Sequence, residues 1–111
     1  MPTGSKGLDV HFIRESVSSG CYEISLHADA ERLVDAITME ELEAALAECE
    51  VLEDYPDDQR GHSCLVFGRM PDEKAVHAVC GLTRQGTLVV ITVYRPDVPK
   101  WIDERTRRKE R

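Results

Sequence analysis

Two histidines, a tyrosine and two arginines carry the chemistry open to this sequence. His27 stands one helical turn before Glu31, a spacing at which an imidazole and a carboxylate can share a proton. Further along, His77, Thr92 and Tyr94 fall on one face of a predicted sheet, and Arg60, His62 and Arg95 lie at strand ends that reach the same edge. Such a set suits acid–base attack on a phosphodiester, where His, Glu or Tyr moves protons and Arg stabilises the charge that builds on phosphorus. His27, His77 and Tyr94 are therefore the candidate catalytic residues, and Arg60, Thr92 and Arg95 the candidate substrate contacts. The same residue types also have a quieter use, since a His beside a Thr on a sheet is often only a satisfied hydrogen bond.

Other chemistries fit less well. His62, Cys64, His77 and Cys80 are types that bind zinc, but strand alternation sets His77 on the opposite face from the two cysteines, and no metal is expected. A cysteine nucleophile needs a base beside it and a depressed pKa, and Cys64 and Cys80 fall on an apolar face. No Gly-rich loop joins a strand to a helix, which excludes P-loop and dinucleotide-binding readings, so no cofactor is expected.

The elements that must position these residues follow from periodicity. Residues 1–20 are rich in Gly and Ser and read as a flexible leader with one short strand at Asp9–Ile13. Residues 21–104 form a single α+β domain, and 105–111 a basic tail. Leu26, Ala30, Leu33, Val34 and Ile37 make one helical stripe behind the N-cap Ser25, and are expected to be buried. A second helix begins at Thr38, which forms a capping box with Glu41, and buries Met39, Leu42, Ala45, Leu46 and Cys49. Four strands follow at Glu50–Tyr55, Ser63–Arg69, Ala75–Leu82 and Thr87–Tyr94, joined closely enough for an antiparallel meander. Trp101 anchors a short C-terminal helix.

Turn lengths propose a register. Cys64 pairs with Cys80, Val66 with Ala78 and Phe67 with His77; on the next strand Cys80 faces Val89, Ala78 faces Ile91 and His77 faces Thr92. The core face then carries Cys64, Val66, Val76, Ala78, Cys80, Val89, Ile91 and Val93. The opposite face mixes Leu65, Phe67, Val79, Leu88 and Val90 with His77, Thr92 and Tyr94.

The chain has 111 residues, 41% of them hydrophobic, enough for one modest core. Its net charge of −7 excludes an overall basic nucleic-acid binder. The charge is polarised: Asp29 to Asp58 holds twelve acidic residues and one basic, whereas Arg105 to Arg111 holds five basic and one acidic. No apolar run approaches the ~18 residues of a membrane span, and the first residues lack the apolar block of a signal peptide. Scattered cysteines without C-x-x-C spacing fit reduced thiols in the cytoplasm.

Several motifs then fall in a familiar order. They are Ser25-x-His27-Ala28, Ile37-Thr38-x-Glu40-Glu41, Arg60-Gly61-x-Ser63-Cys64-Leu65-Val66, Val76-His77-Ala78-Val79 and Ile91-Thr92-Val93-Tyr94-Arg95-Pro96. Over roughly residues 22–103 this resembles the bacterial family catalogued as domain of unknown function 4258, which is similar to the RelE-like and MqsR-like toxins. The resemblance implies helices packed on an antiparallel sheet whose open face meets RNA, with His27, His77 and Tyr94 as the matching site residues. It implies a metal-independent endoribonuclease of a toxin–antitoxin pair, acting through the ribose 2′-hydroxyl, with RNA and an antitoxin protein as partners. The other expectation is a non-catalytic interaction module or homodimer, whose apolar patch of Leu65, Phe67, Val79, Leu88 and Val90 is covered by a partner or a second copy.

Overall fold

The structure, a computed structural model, describes residues 8–96. The helix expected at Trp101 and the basic tail at 105–111 lie outside the described residues. The element order is α1 (Val10–Ser19), β1 (Tyr22–Ile24), α2 (Leu26–Val34), α3 (Met39–Leu46), β2 (Glu50–Tyr55), β3 (Ser63–Arg69), β4 (Ala75–Leu82) and β5 (Leu88–Tyr94). The strands form one sheet in the order β1-β5-β4-β3-β2. The α+β class stands, but among the described residues three helices pack with a five-stranded mixed sheet, where two N-terminal helices and four antiparallel strands were expected ahead of the C-terminal helix.

The first correction lies in the stretch read as a leader. Asp9 accepts a hydrogen bond from Phe12 N at 2.9 Å and so caps α1, which ends on Gly20 in the left-handed conformation at φ 79°. Ile13, Ser16 and Val17 are buried at helical spacing, and the apolar two of them enter the main core. There is a helix, not a strand, over Asp9–Ile13. The surrounding Ser and Gly masked a cap-to-cap helix.

β1 is the second addition. Its three residues run parallel to β5, with Tyr22 opposite Leu88 and Ile24 opposite Val90, and are too few to show a period of two. Tyr22 donates its hydroxyl proton to Glu43 Oε2 and thus ties β1 to α3. Removing that donor with Tyr22→Phe is expected to cost about 1.5–2 kcal/mol, since the acceptor is charged and part-buried. Urea unfolding of the variant checks this, and an unchanged midpoint would show that the contact contributes nothing.

α3 forms as expected, with both halves of the Thr38–Glu41 capping box made and Leu42, Ala45 and Leu46 buried. α2 starts at the expected cap, where Ser25 Oγ accepts from Ala28 N, but it is turned the other way. Leu26, Leu33 and Val34 are 90%, 62% and 85% exposed, and Ala28 is the buried residue. The cause is the edge of β5. β1 pairs only with its first half, leaving backbone groups from Ile91 onward without a strand. α2 supplies them: Ser25 Oγ donates to Ile91 O at 2.9 Å, and Glu31 Oε1 accepts from Val93 N at 2.9 Å. Satisfying that edge fixes the rotation of the helix and turns Leu26, Ala30, Leu33 and Val34 to solvent, while Ile37, past the helix end, is buried as expected. Helical periodicity reports which residues share a face, not which face is covered.

The β3–β4 register matches expectation in full, including Cys64 opposite Cys80 and Phe67 opposite His77. The β4–β5 register does not. The loop runs from Thr83 to Thr87, closed by Thr83 N to Thr87 O at 2.8 Å, so Leu82 pairs with Leu88. That one-residue slip places Leu88 and Val90 in the core instead of Val89 and Ile91. A bulge opposite Val79/Cys80 then absorbs an extra residue of β5 and returns Val93 to the core, as expected. His77 consequently faces Tyr94, not Thr92.

Candidate functional site at the edge of the sheet

Three polar clusters result, and Tyr94 connects two of them. The first lies where α2 runs along β5. His27 Nε2 is 3.2 Å from Glu31 Oε2, and the other Glu31 oxygen is held by Val93 N. One carboxylate therefore orients the imidazole and caps a strand edge at once. His27 is 68% exposed at the mouth of an open cavity of about 390 Å³, lined also by Ala30, Val34, Val93 and Tyr94. Arg95, outside that lining, donates from Nε and Nη2 to the carbonyl oxygen of Asp35, itself part of it, at 3.3 and 2.9 Å. Arg32 turns inward, to Asp29 Oδ1 and Ile37 O.

The second cluster lies on the sheet. His77 is 0% exposed, and its Nδ1 is 3.2 Å from the Tyr94 hydroxyl. Its ring meets Phe67 and Tyr94 edge-on, with centroids 6.1 and 5.3 Å away. The guanidinium of Arg69 covers Phe67 at 5.2 Å. Full burial keeps His77 from the surface, and Tyr94, its hydrogen-bond partner, borders both clusters.

The third cluster holds Arg60 and Thr92 in a separate cavity of about 380 Å³, with Asp58, His62 and Ser63. Asp58 accepts from Arg60 N at 3.0 Å and from Ser63 Oγ at 2.9 Å, and these bonds, that to the Arg60 backbone foremost, hold its carboxyl below the usual carboxylate range. His62 Nε2 bonds Asp54 Oδ1. Of the six residues singled out by sequence, His27 joins Tyr94, His77 joins Tyr94, and Arg60 joins Thr92, while Arg95 is tied to Asp35. Arg60 and Thr92 do not line the His27 cavity. The His62–Asp54 pair went unread; the signal was the β2–β3 pairing, which sets Asp54 beside Cys64.

The apolar patch expected on the second sheet face is absent as an exposed surface. Leu65 and Phe67 are buried, and Leu88 and Val90 belong to the core. Among the described residues, no group of three or more His, Cys, Asp or Glu is placed to hold a metal ion, and no helix is long and apolar enough to cross a membrane.

The architecture is thus an α+β domain with helices packed on a mixed sheet and a histidine–carboxylate pair on its capped edge. The chain belongs to the family described as Domain of unknown function (DUF4258), whose model matches residues 24–95. That span contains all six singled-out residues and leaves α1 outside it. No curated protein and no solved structure matches the chain.

Proposed function

We propose that this chain is a metal-independent endoribonuclease domain of the RelE-like and MqsR-like kind, working from the cavity between α2 and β5. One observation carries the reading: an exposed imidazole oriented by a carboxylate that is itself fixed by a backbone N–H, in a cavity shared with Tyr94. With the Nε2 proton directed at Glu31, Nδ1 of His27 takes the proton of a ribose 2′-hydroxyl. The 2′-oxygen attacks phosphorus, the P–O5′ bond breaks and the departing 5′-oxygen takes a proton from water, giving a 2′,3′-cyclic phosphate and a 5′-hydroxyl. The His27 imidazolium returns its proton to the hydroxide so formed. Arg95, held on the Asp35 carbonyl beside the cavity, supplies positive charge, and His77 holds the Tyr94 ring in place. The acidic residues of α3 and β2 lie on other elements than the β5 edge, whereas α2 and its C-cap carry Asp29, Glu31 and Asp35, so RNA would approach along β5 at the Arg95 end.

The test is incubation of the full chain with mixed cellular RNA in the presence of EDTA. His27→Ala is expected to slow cleavage about 100-fold, and Glu31→Gln about tenfold, with the fold retained. RNA left intact at high protein concentration, or cleavage unchanged in a folded His27→Ala variant, would overturn the reading.

A further inference from the structure

We infer that the outward face of α2 is a docking surface for a cationic amphipathic helix of a partner protein. At 100° per residue, Leu26, Ala30, Leu33 and Val34 fall within one sector of roughly 100° on this helix. All four are exposed, and three are large apolar side chains. Isolated exposed leucines are ordinary, but a contiguous stripe filling a helix face is the signature of an interaction site. The face matches the width that a partner helix covers with its own i, i+3, i+4, i+7 residues.

Charge decides the kind of partner. Asp29 borders the stripe on one side and Glu31 on the other. Arg32, the single cation between Asp29 and Asp58, pairs with Asp29 at 2.7 Å and with the Ile37 carbonyl, so it offsets that side of the rim and leaves Glu31 as the acidic border of the other. Exposed Glu23 precedes the helix. Two copies of such a face would bring acid against acid, which disfavours self-association through it. A helix with Leu-like residues on one side and Lys or Arg flanking them complements both the stripe and its rim. Because Ala30 and Val34 also line the cavity that holds His27, such a helix would roof that cavity. The docking itself does not depend on RNA cleavage.

The test titrates the isotopically labelled full chain with a synthetic helix-forming peptide of about 18 residues, with Leu at i, i+3, i+4, i+7 and Lys at the other positions. Two control peptides replace every Leu by Ser or every Lys by Glu. Saturable amide shifts centred on residues 26–34, absent with either control, are the expected result. Leu33→Gln with Val34→Gln should weaken binding at least about tenfold while leaving the unfolding curve in place, since both side chains are exposed. Equal binding of the Leu-to-Ser peptide would reduce the effect to bulk charge and overturn the inference. So would shifts mapping elsewhere, binding untouched by the double substitution, or a concentration-dependent dimer formed through the same residues. Loss of RNA cleavage without loss of peptide binding would sink only the reading of the cavity.

Discussion

Gly68→Ala is expected to cost at least about 3 kcal/mol, a large share of the stability of a domain this size. Gly68 is the sixth residue of β3, at the point where α3 crosses the strand. A Cβ placed there would lie 2.3 Å from the Ala45 carbonyl oxygen and 2.8 Å from its carbon. Backbone cannot rotate away as a long side chain would, so α3 must lift off the sheet. Lifting it exposes Leu42 and Leu46, both 0–1% exposed in the fold. Urea unfolding gives the number. A loss below about 1 kcal/mol would mean that the helix and strand are not in the close contact described here.

Alkaline pH should weaken the fold strongly. Cys49, Cys64 and Cys80 are buried free thiols. Burial pushes Cys49 up to about 11, against a smaller downward pull from Arg14, and Cys64 to about 12, with Asp54 adding to the rise. Burial raises Cys80 as well. A thiol whose folded pKa is raised holds its proton more tightly in the native state than in the unfolded chain. The stability this represents is complete below the unfolded value of 9.0 and is lost as pH climbs toward the folded values. Between pH 9 and 11 each such thiol removes about 1 kcal/mol per pH unit, so Cys49 and Cys64 together remove about 2 kcal/mol per unit. Urea midpoints measured from pH 7 to 10.5 should be flat at first and then fall steeply. Cys64→Ala should start lower at pH 7 and fall less steeply above pH 9. A profile with no break near 9 in the parent chain would contradict the burial of these thiols.

How much of this was legible in the sequence varies by element. The Thr38–Glu41 capping box, the four long strands and the β3–β4 register are local: a cap, a period and a short turn determine them, and the structure agrees. What escaped depends on partners distant in the chain. β1 is defined by β5, and the orientation of α2 by the unpaired groups of that same strand. The β4–β5 pairing turned on one residue of loop, which carried Val89 and Ile91 out of the core and moved the partner of His77 from Thr92 to Tyr94. The site shows the same division. His27 and Glu31 were readable from helical spacing, and the closeness of His77 to Tyr94 from strand alternation. That Arg60 and Thr92 belong to a different cavity from His27 depends on the bulge and on where α2 lies, and neither leaves a mark in composition or period.

The parallel pairing of β1 with β5 also has a consequence for the order of assembly. Residues 22–24 find their hydrogen-bonding partners only at residues 88–90, nearly a full domain later in the chain. A ribosome releasing this protein exposes β1 and α2 long before the strand they dock on exists. Their local turn can flicker as an isolated helix, but a nine-residue helix is too short to persist without that support. The β2–β3–β4 meander, whose contacts are close in sequence, is free to form first. Closure of the edge, and with it the approach of His27 to Tyr94, is a late step that waits for synthesis of the last strand, so a nascent chain stalled before residue 88 would have its meander but no site.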